Sequence, residues 1–266
     1  MSNFSMINGR VFIDGREVTG HSRDSEPTNS EPVFKTHVTM VDKRLRLNLS
    51  TAEVIVTGCN EPGIRVELEG DEKFVSSIAF TEDDGTLAIV ENAQQGGSYS
   101  NVVMSGAIVI GNVFGSVFGD VVTGPKGKVI VSVPEGIAIH VNNGGISQTK
   151  INVRAEDLVC ALSSQASVTV TDCRQRLSAT LSGQSKLSAE TGSVSTLNVS
   201  TSGQSSLYYG GQADEIDVSC SGQSSVSLPG RVAEARLRAS GQSNISAPNV
   251  RKVDNRHTSG QATICA

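Results

Sequence analysis

A short motif, Ser-Gly-Gln, returns at a nearly constant interval through the second half of this 266-residue chain. In five copies the central residue is glycine, and in a sixth, Ser163-Ser164-Gln165, it is serine. Successive copies are 19 or 20 residues apart, which is the signature of a repeat architecture. The glutamines are Gln165, Gln184, Gln204, Gln223, Gln242 and Gln261, and the glycines are Gly183, Gly203, Gly222, Gly241 and Gly260.

Apolar and polar residues alternate on both sides of each motif. The third residue after each glutamine is always aliphatic, and the residues at the fifth and seventh positions before it are mostly small or aliphatic. A period of two is typical of β-strands and excludes a helix. Each repeat therefore predicts two strands joined by a sharp corner at Ser-Gly-Gln.

A unit of about 19 residues is too short to close its own sheet, so the coils are expected to stack in parallel, about 4.8 Å apart. We predict an all-β fold, a right-handed parallel β-helix, with the hand taken from the general crossover rule. The glycines are predicted to take a positive φ at the corners. The glutamines are predicted to form a structural ladder of stacked amides, and a flat polar face for carbohydrate is the functional alternative.

The rest of the chain suggests two further regions. Residues 1–18 contain Asn8-Gly9 and Asp14-Gly15, two-residue turns that predict a small β-meander. Residues 19–33 are polar and contain two prolines, which is typical of a linker. We expect the β-helix over residues 34–266, less regular over 34–150 and regular over 158–266. The meander could cap the helix or pair between subunits.

Residues 106–122 form the most apolar segment. Their glycines have the G-x-x-x-G-x-x-x-G spacing of packed membrane helices. However, Asn112, Ser116 and Asp120 interrupt the run, and Val, Ile and Phe favour strands. We therefore interpret the segment as a strand or an interface, and we expect no membrane span.

Charge and cysteine content exclude several function classes. The net charge is −5, and the sequence has no basic run, so nucleic-acid binding is not expected. The five cysteines are odd in number and lack C-x-x-C spacing, which argues against a disulfide framework or a zinc site. No metal or cofactor is expected. The first ten residues lack the basic and apolar regions of a secretory signal, so the expected location is the cytoplasm.

Catalysis has one weak set of candidates in this sequence. Asp214, Glu215 and Asp217 are the densest carboxylate cluster of the repeat region, and two carboxylates can act as acid and base on a glycosidic bond. A solvated turn that leads Ile216 into the core explains the same residues without catalysis, and we favour this interpretation. We therefore predict that the protein is not an enzyme.

The corners and their flanking strands resemble the bacterial head GIN domain family of auto-transporter adhesins. The resemblance rests on the Ser-Gly-Gln-Ser corners and on the upstream stretches 53–56, 63–66 and 85–89, and it covers residues 35–266. It implies a right-handed parallel β-helix and no established catalytic residues. Many members of the family look exported, whereas the first residues of this sequence predict no leader.

These observations predict a non-catalytic β-solenoid that binds or assembles, either as an adhesin-like module or as a self-associating scaffold. The expected partners are a protein or glycan ligand, or further copies of the chain. Copies could meet through the N-terminal meander, the terminal coil or the 106–122 strand. The alternative is a carbohydrate-active β-helix enzyme that uses its surface carboxylates.

Overall fold

A computed structural model shows the alternating pattern as strands, which make up 69% of residues 32–92 and 127–266, with 3% helix. The structure describes residues 32–92 and 127–266, together with the backbone of three strands before residue 18. Residues 106–122, for which we predicted a strand or an interface, lie outside the described residues. The chain divides into two compact units, Met1–Glu31 and Pro32–Ala266.

The first unit contains an antiparallel sheet of three short strands. They are β1 (Phe4–Ile7), β2 (Arg10–Ile13) and β3 (Arg16–Glu17), in the order β1-β2-β3. The two connections are the Asn8-Gly9 and Asp14-Gly15 pairs, whose residues readily take the φ angles of hairpin turns. This sheet is the predicted meander.

The second unit holds one sheet of 18 strands and a single short helix among its described residues. The first half contains β4 (Val33–Thr39), β5 (Arg44–Asn48), β6 (Ala52–Cys59), β7 (Ile64–Gly70), α1 (Glu72–Ser77), β8 (Ile78–Asp83) and β9 (Thr86–Glu91). The second half contains β10 (Gly127–Pro134), β11 (Ala138–Asn143), β12 (Gln148–Leu162), β13 (Ser167–Leu181), β14 (Lys186–Thr201), β15 (Ser206–Tyr209), β16 (Gln212–Cys220), β17 (Ser225–Ser227), β18 (Val232–Ala239), β19 (Asn244–Ser246), β20 (Val250–Thr258) and β21 (Thr263–Cys265).

These strands stack in two long ladders. The first ladder runs β4-β7-β10-β6-β12-β13-β14-β15-β17-β19-β21. The second runs β8-β9-β5-β11-β12-β13-β14-β16-β18-β20. The long strands β12, β13 and β14 bend, so that their first parts lie in the first ladder and their last parts in the second. The result is a β-solenoid of about seven turns with about 19 residues per turn. The right-handed sense of the solenoid remains a prediction from the crossover rule.

The upstream coils do not stack in sequence order. The coil formed by β5 and β6 lies between later strands, because β5 pairs with both β9 and β11 while β6 pairs with both β10 and β12. The antiparallel strands β4, β7 and β8 complete this end of the solenoid. The alternating aliphatic residues of these strands are nearly equivalent, so their pattern alone does not determine which strands become neighbours.

The core is a narrow stack of aliphatic rows between the two ladders. The third residues after the six glutamines are all buried, namely Val168, Leu187, Leu207, Val226, Ile245 and Ile264. Rows from the second ladder, including Leu177, Leu197 and Ile216, are also fully buried. Burying one such side chain contributes about 1.5–3 kcal/mol. The regular interior therefore explains how a chain with only 4% aromatic residues holds its fold.

Candidate functional site: corners and polar columns

Every Ser-Gly-Gln corner places its glycine in the left-handed region. The φ angles are +70° at Gly183, +70° at Gly203, +73° at Gly222, +74° at Gly241 and +71° at Gly260. The corners also stack closely, because each glutamine N–H donates to the carbonyl of the corner before it, for example from Gln223 to Gly203 over 2.8 Å. Glycine is therefore favoured both by conformation and by the closeness of the neighbouring backbone.

Ser164 is the exception in this column, and its φ is +57°. A serine in this region costs about 1–2 kcal/mol, whereas glycine loses about 0.5–1 kcal/mol more through its flexible unfolded state. We expect Ser164→Gly to raise the free energy of unfolding by about 0.5–1 kcal/mol, measured by chemical denaturation. Ser163→Gly is the matched control, because Ser163 is not among the positive-φ residues. Equal effects of the two substitutions would contradict the strain at Ser164.

The six glutamines form one continuous ladder on the surface. Each Nε2 donates to the Oε1 of the next glutamine, over 3.5 Å from Gln165 to Gln184, 3.1 Å to Gln204, 3.1 Å to Gln223, 3.0 Å to Gln242 and 3.3 Å to Gln261. All six residues are exposed. An amide has two N–H groups and two lone pairs on oxygen, so each inner glutamine keeps one donor and one acceptor free for another molecule.

The residue after each glutamine carries structural chemistry that the sequence analysis missed. In four copies it is a fully buried serine, namely Ser185, Ser205, Ser224 and Ser243. The hydroxyl of Ser205 donates to the carbonyl oxygen of Ser202 over 2.8 Å, and Ser224 and Ser243 repeat the contact. Ala166 and Ala262 hold the same position in the first and last copies. This restriction to serine and alanine was the available signal of a small, buried position.

Two further columns lie beside the glutamines on the outer side of the first ladder. They are formed by the second and fourth residues after each glutamine. The columns contain Ser167, Lys186, Ser206, Ser225, Asn244 and Thr263, and then Thr169, Ser188, Tyr208, Ser227, Ser246 and Cys265. We call the glutamine ladder and these two columns the polar face. Its side chains include one cation, Lys186, and no carboxylate.

The outer side of the second ladder is instead charged. Glu215 Oε1 lies 2.6 Å from an Arg236 nitrogen, and Asp217 Oδ1 lies 3.1 Å from an Arg238 nitrogen. Asp214 is exposed on the same strand, β16. The structure thus places the three predicted catalytic candidates on one strand, but it pairs Glu215 and Asp217 with separate arginines of the next coil. The arrangement is that of cross-coil ion pairs on a solvated surface.

The buried thiols have the chemistry of core residues. Burial raises the pKa of the Cys173 thiol to about 12, and it raises the pKa of Cys160 still further. Both sulfurs are therefore protonated at neutral pH and are poor nucleophiles. Burial together with Arg44 and Arg46 lowers the pKa of His140, which keeps this imidazole neutral at pH 7. These groups are structural rather than reactive at neutral pH.

One shallow groove of about 600 Å³ lies on the side between the two ladders. Its lining is polar and consists of Glu156, Asp172, Arg174, Gln175, Gly192 and Ser193. Asp172 accepts from Arg154 over 3.0 Å, and Gln175 donates to Glu156. The lining comes from three successive coils, which is why inspection of local motifs did not find it.

Within residues 32–92 and 127–266, no three or more His, Cys, Asp and Glu side chains are grouped so that they could hold a metal ion. The helix in this part of the chain is too short and too polar to cross a membrane.

Solved structures share this fold. A crystal structure from Bacteroides fragilis NCTC 9343, of a protein named a putative adhesin, superposes with a TM-score of 0.63 at 13% identity, over 88% of this chain and 96% of that one. A putative adhesin from Parabacteroides merdae ATCC 43184 gives a TM-score of 0.54 at 12% identity, over 89% and 96% of the two chains. At such identities the likeness shows the fold alone.

The sequence comparison identifies the family. No curated protein matches this sequence. A family model described as "Putative auto-transporter adhesin, head GIN domain" matches residues 45–211 and 195–266, which together cover well over half of the chain. The chain therefore belongs to the head GIN domain family.

Proposed function

We propose that this protein is a non-catalytic, adhesin-like module that binds its ligand through the polar face. The observation that carries the proposal is the composition of that face, where three columns, mostly of amide and hydroxyl side chains, lie side by side on the stacked corners and on the strands that follow them. A surface whose backbone is fixed in this way loses little conformational entropy on binding. Binding is therefore the activity that this geometry supports best.

The remaining chemistry supports binding rather than catalysis. Glu215 and Asp217 form ion pairs with arginines, and the Cys160 and Cys173 thiols are protonated in the core. Membership of a family described as adhesins points in the same direction. The groove lined by Glu156 and Asp172 is a second polar surface to consider, and both of its carboxylates accept hydrogen bonds from neighbouring side chains.

An adhesion assay combined with a turnover assay tests the proposal. Beads coated with the folded chain are expected to attach to bacterial or host cell surfaces more strongly than beads coated with heat-unfolded chain. The same protein is expected to release no reducing sugar from a panel of polysaccharides. Absence of attachment to every surface would contradict the proposed function, and polysaccharide turnover that disappears in Asp217→Asn would establish the enzyme alternative.

The ion-paired carboxylates offer a specific prediction. We expect Glu215→Gln and Asp217→Asn to leave attachment unchanged and to lower the free energy of unfolding by at most about 1 kcal/mol each, because exposed ion pairs contribute little. Ser219→Ala, an exposed change on the same strand, is the control. Attachment and denaturant unfolding are the two measurements. A loss of attachment in either carboxylate variant would place the binding surface on the second ladder instead.

Self-association is a second candidate function, and it rests on the open ends of the solenoid. Among the described residues the register of β4 is with β7, and its outer row exposes Phe34 and Val38 at 71% and 64%. Met40, the residue that follows the strand, is 76% exposed. Exposed apolar edge strands are sites where chains pair. Light scattering over a range of concentrations tests this candidate. A strict monomer would exclude assembly through β4 and also through the meander, the terminal coil and residues 106–122.

A further inference from the structure

We propose that the polar face binds an uncharged polysaccharide, with Tyr208 as the stacking platform and the glutamine ladder as the row of hydrogen-bonding groups. This inference rests on the proposed function and specifies its ligand. Three features of the face carry it: its charge, its free amide groups and its single exposed aromatic ring.

The charge of the face selects the class of ligand. Lys186 is its one ionic side chain, whereas the outer side of the second ladder carries at least three cross-coil ion pairs. An acidic polysaccharide needs several cations for tight contact, and a basic polymer needs carboxylates. The polar face offers hydroxyl and amide groups in place of several cations or carboxylates. The complementary ligand is therefore neutral and rich in hydroxyl groups.

The glutamine ladder supplies directional contacts. Hydrogen bonds between neighbours orient Gln184, Gln204, Gln223 and Gln242 on both sides. Each of these amides keeps one free N–H and one free lone pair, so a donor and an acceptor recur at every coil. Sugar hydroxyl groups both donate and accept, and a polymer with repeated sugar units can use such a row along its length.

Tyr208 supplies an apolar contact in the middle of this polar surface. Its side chain lies between Ser188 and Ser227 of the adjacent coils, and the residue is 40% exposed. A Cβ atom at Gly210 would lie 3.2 Å from the hydroxyl oxygen of Tyr208. The ring of Tyr208 therefore extends along the chain toward Gly210, which has no side chain. The electron-rich face of an aromatic ring attracts C–H groups such as those of a sugar ring.

A protein partner fits this face less well. Stable protein interfaces are anchored by several aromatic, arginine or large aliphatic side chains that fill pockets on the other protein. Tyr208 is the one large apolar side chain in the two outer columns. The other positions are serine, threonine and asparagine, apart from Lys186 and Cys265. The surface therefore has one anchor and many small polar groups, which suits a polysaccharide chain.

The test measures binding of the full chain to soluble neutral glucans, mannans and galactans by affinity electrophoresis, with heparin and polygalacturonate as charged comparators. We expect at least one neutral polymer to bind and both charged ones to bind less. Tyr208→Ala should weaken binding about tenfold or more, while Tyr208→Phe keeps the ring and should retain it. Gln204→Ala combined with Gln223→Ala should also weaken binding. Asn198→Ala, an exposed change on the second ladder, is the control.

Several outcomes would overturn the inference while leaving the proposed function intact. These are cell attachment without binding to any neutral polymer, preferred binding of the charged polymers, and attachment that survives periodate oxidation of the cell-surface glycans. Unchanged binding in Tyr208→Ala would also overturn it. A melting curve of each variant identifies any loss of binding that follows from unfolding. If the beads attach to nothing at all, the proposed function itself fails.

Discussion

Replacing Gly222 by valine is expected to lower the free energy of unfolding by about 2–5 kcal/mol. A side chain in the left-handed region costs about 1–2 kcal/mol, and a β-branched one costs more. The corner also lacks space, because a Cβ at Gly222 would lie 2.9 Å from the carbonyl oxygen and 3.0 Å from the nitrogen of Gly203. Relieving such overpacking moves the backbone at a cost of about 1–3 kcal/mol.

Ser225→Ala is the matched control for this corner. Ser225 lies three residues away on the exposed outer side of the same coil, so its change should alter stability by less than about 0.5 kcal/mol. Thermal melting and chemical denaturation followed by circular dichroism measure both variants. Similar melting temperatures for Gly222→Val and Ser225→Ala would refute the role of the glycine corner.

Leu197→Ala should have a comparable effect for a different reason. Leu197 is fully buried and pairs in register with Leu177 on one side and Ile216 on the other. Removing three carbon atoms from this row leaves a cavity that the fixed spacing of the coils prevents from closing. Such substitutions cost about 2–5 kcal/mol. We expect Leu197→Ala to lower the denaturant midpoint clearly.

The control for Leu197 is the next residue along the strand. Asn198 is exposed and lies in the same ladder of strands as Leu197. Asn198→Ala should therefore change the free energy of unfolding by less than about 0.5 kcal/mol. Because the stability of a repeat protein is a sum over neighbouring units, loss at a central coil is expected to weaken the whole stack. Equally small effects of Leu197→Ala and Asn198→Ala on stability would contradict the assignment of Leu197 to the inner side of β14 and of Asn198 to its outer side.

The repeat region was the most predictable part of the fold. Its spacing predicted the coil length, the positive φ of the corner glycines and the inward row that runs from Val168 to Ile264. Each of these follows from a local pattern that recurs six times. The buried serine column escaped prediction because serine is usually exposed, and its burial depends on the carbonyl groups that surround it.

The candidate sites were less predictable. Asp214, Glu215 and Asp217 formed a cluster in the sequence, but the partners of Glu215 and Asp217 are arginines that lie 21 residues further along the chain. The polar face was predictable only in part, since its glutamine column is the repeat itself, whereas its two outer columns join residues about 19 positions apart that share no motif in the sequence. Tyr208 becomes a platform because its neighbours on the adjacent coils are serines.

The sequence by itself determined the strand-and-corner unit, its repetition and the side of each strand that is buried, because these depend on contacts within one coil and on a period of two. Only the tertiary structure decided that the β5–β6 coil lies between later strands, which carboxylates are paired and which side chains share the polar face. Those properties depend on which coils become neighbours. Nearly equivalent apolar strands leave that choice to the packing of the whole stack.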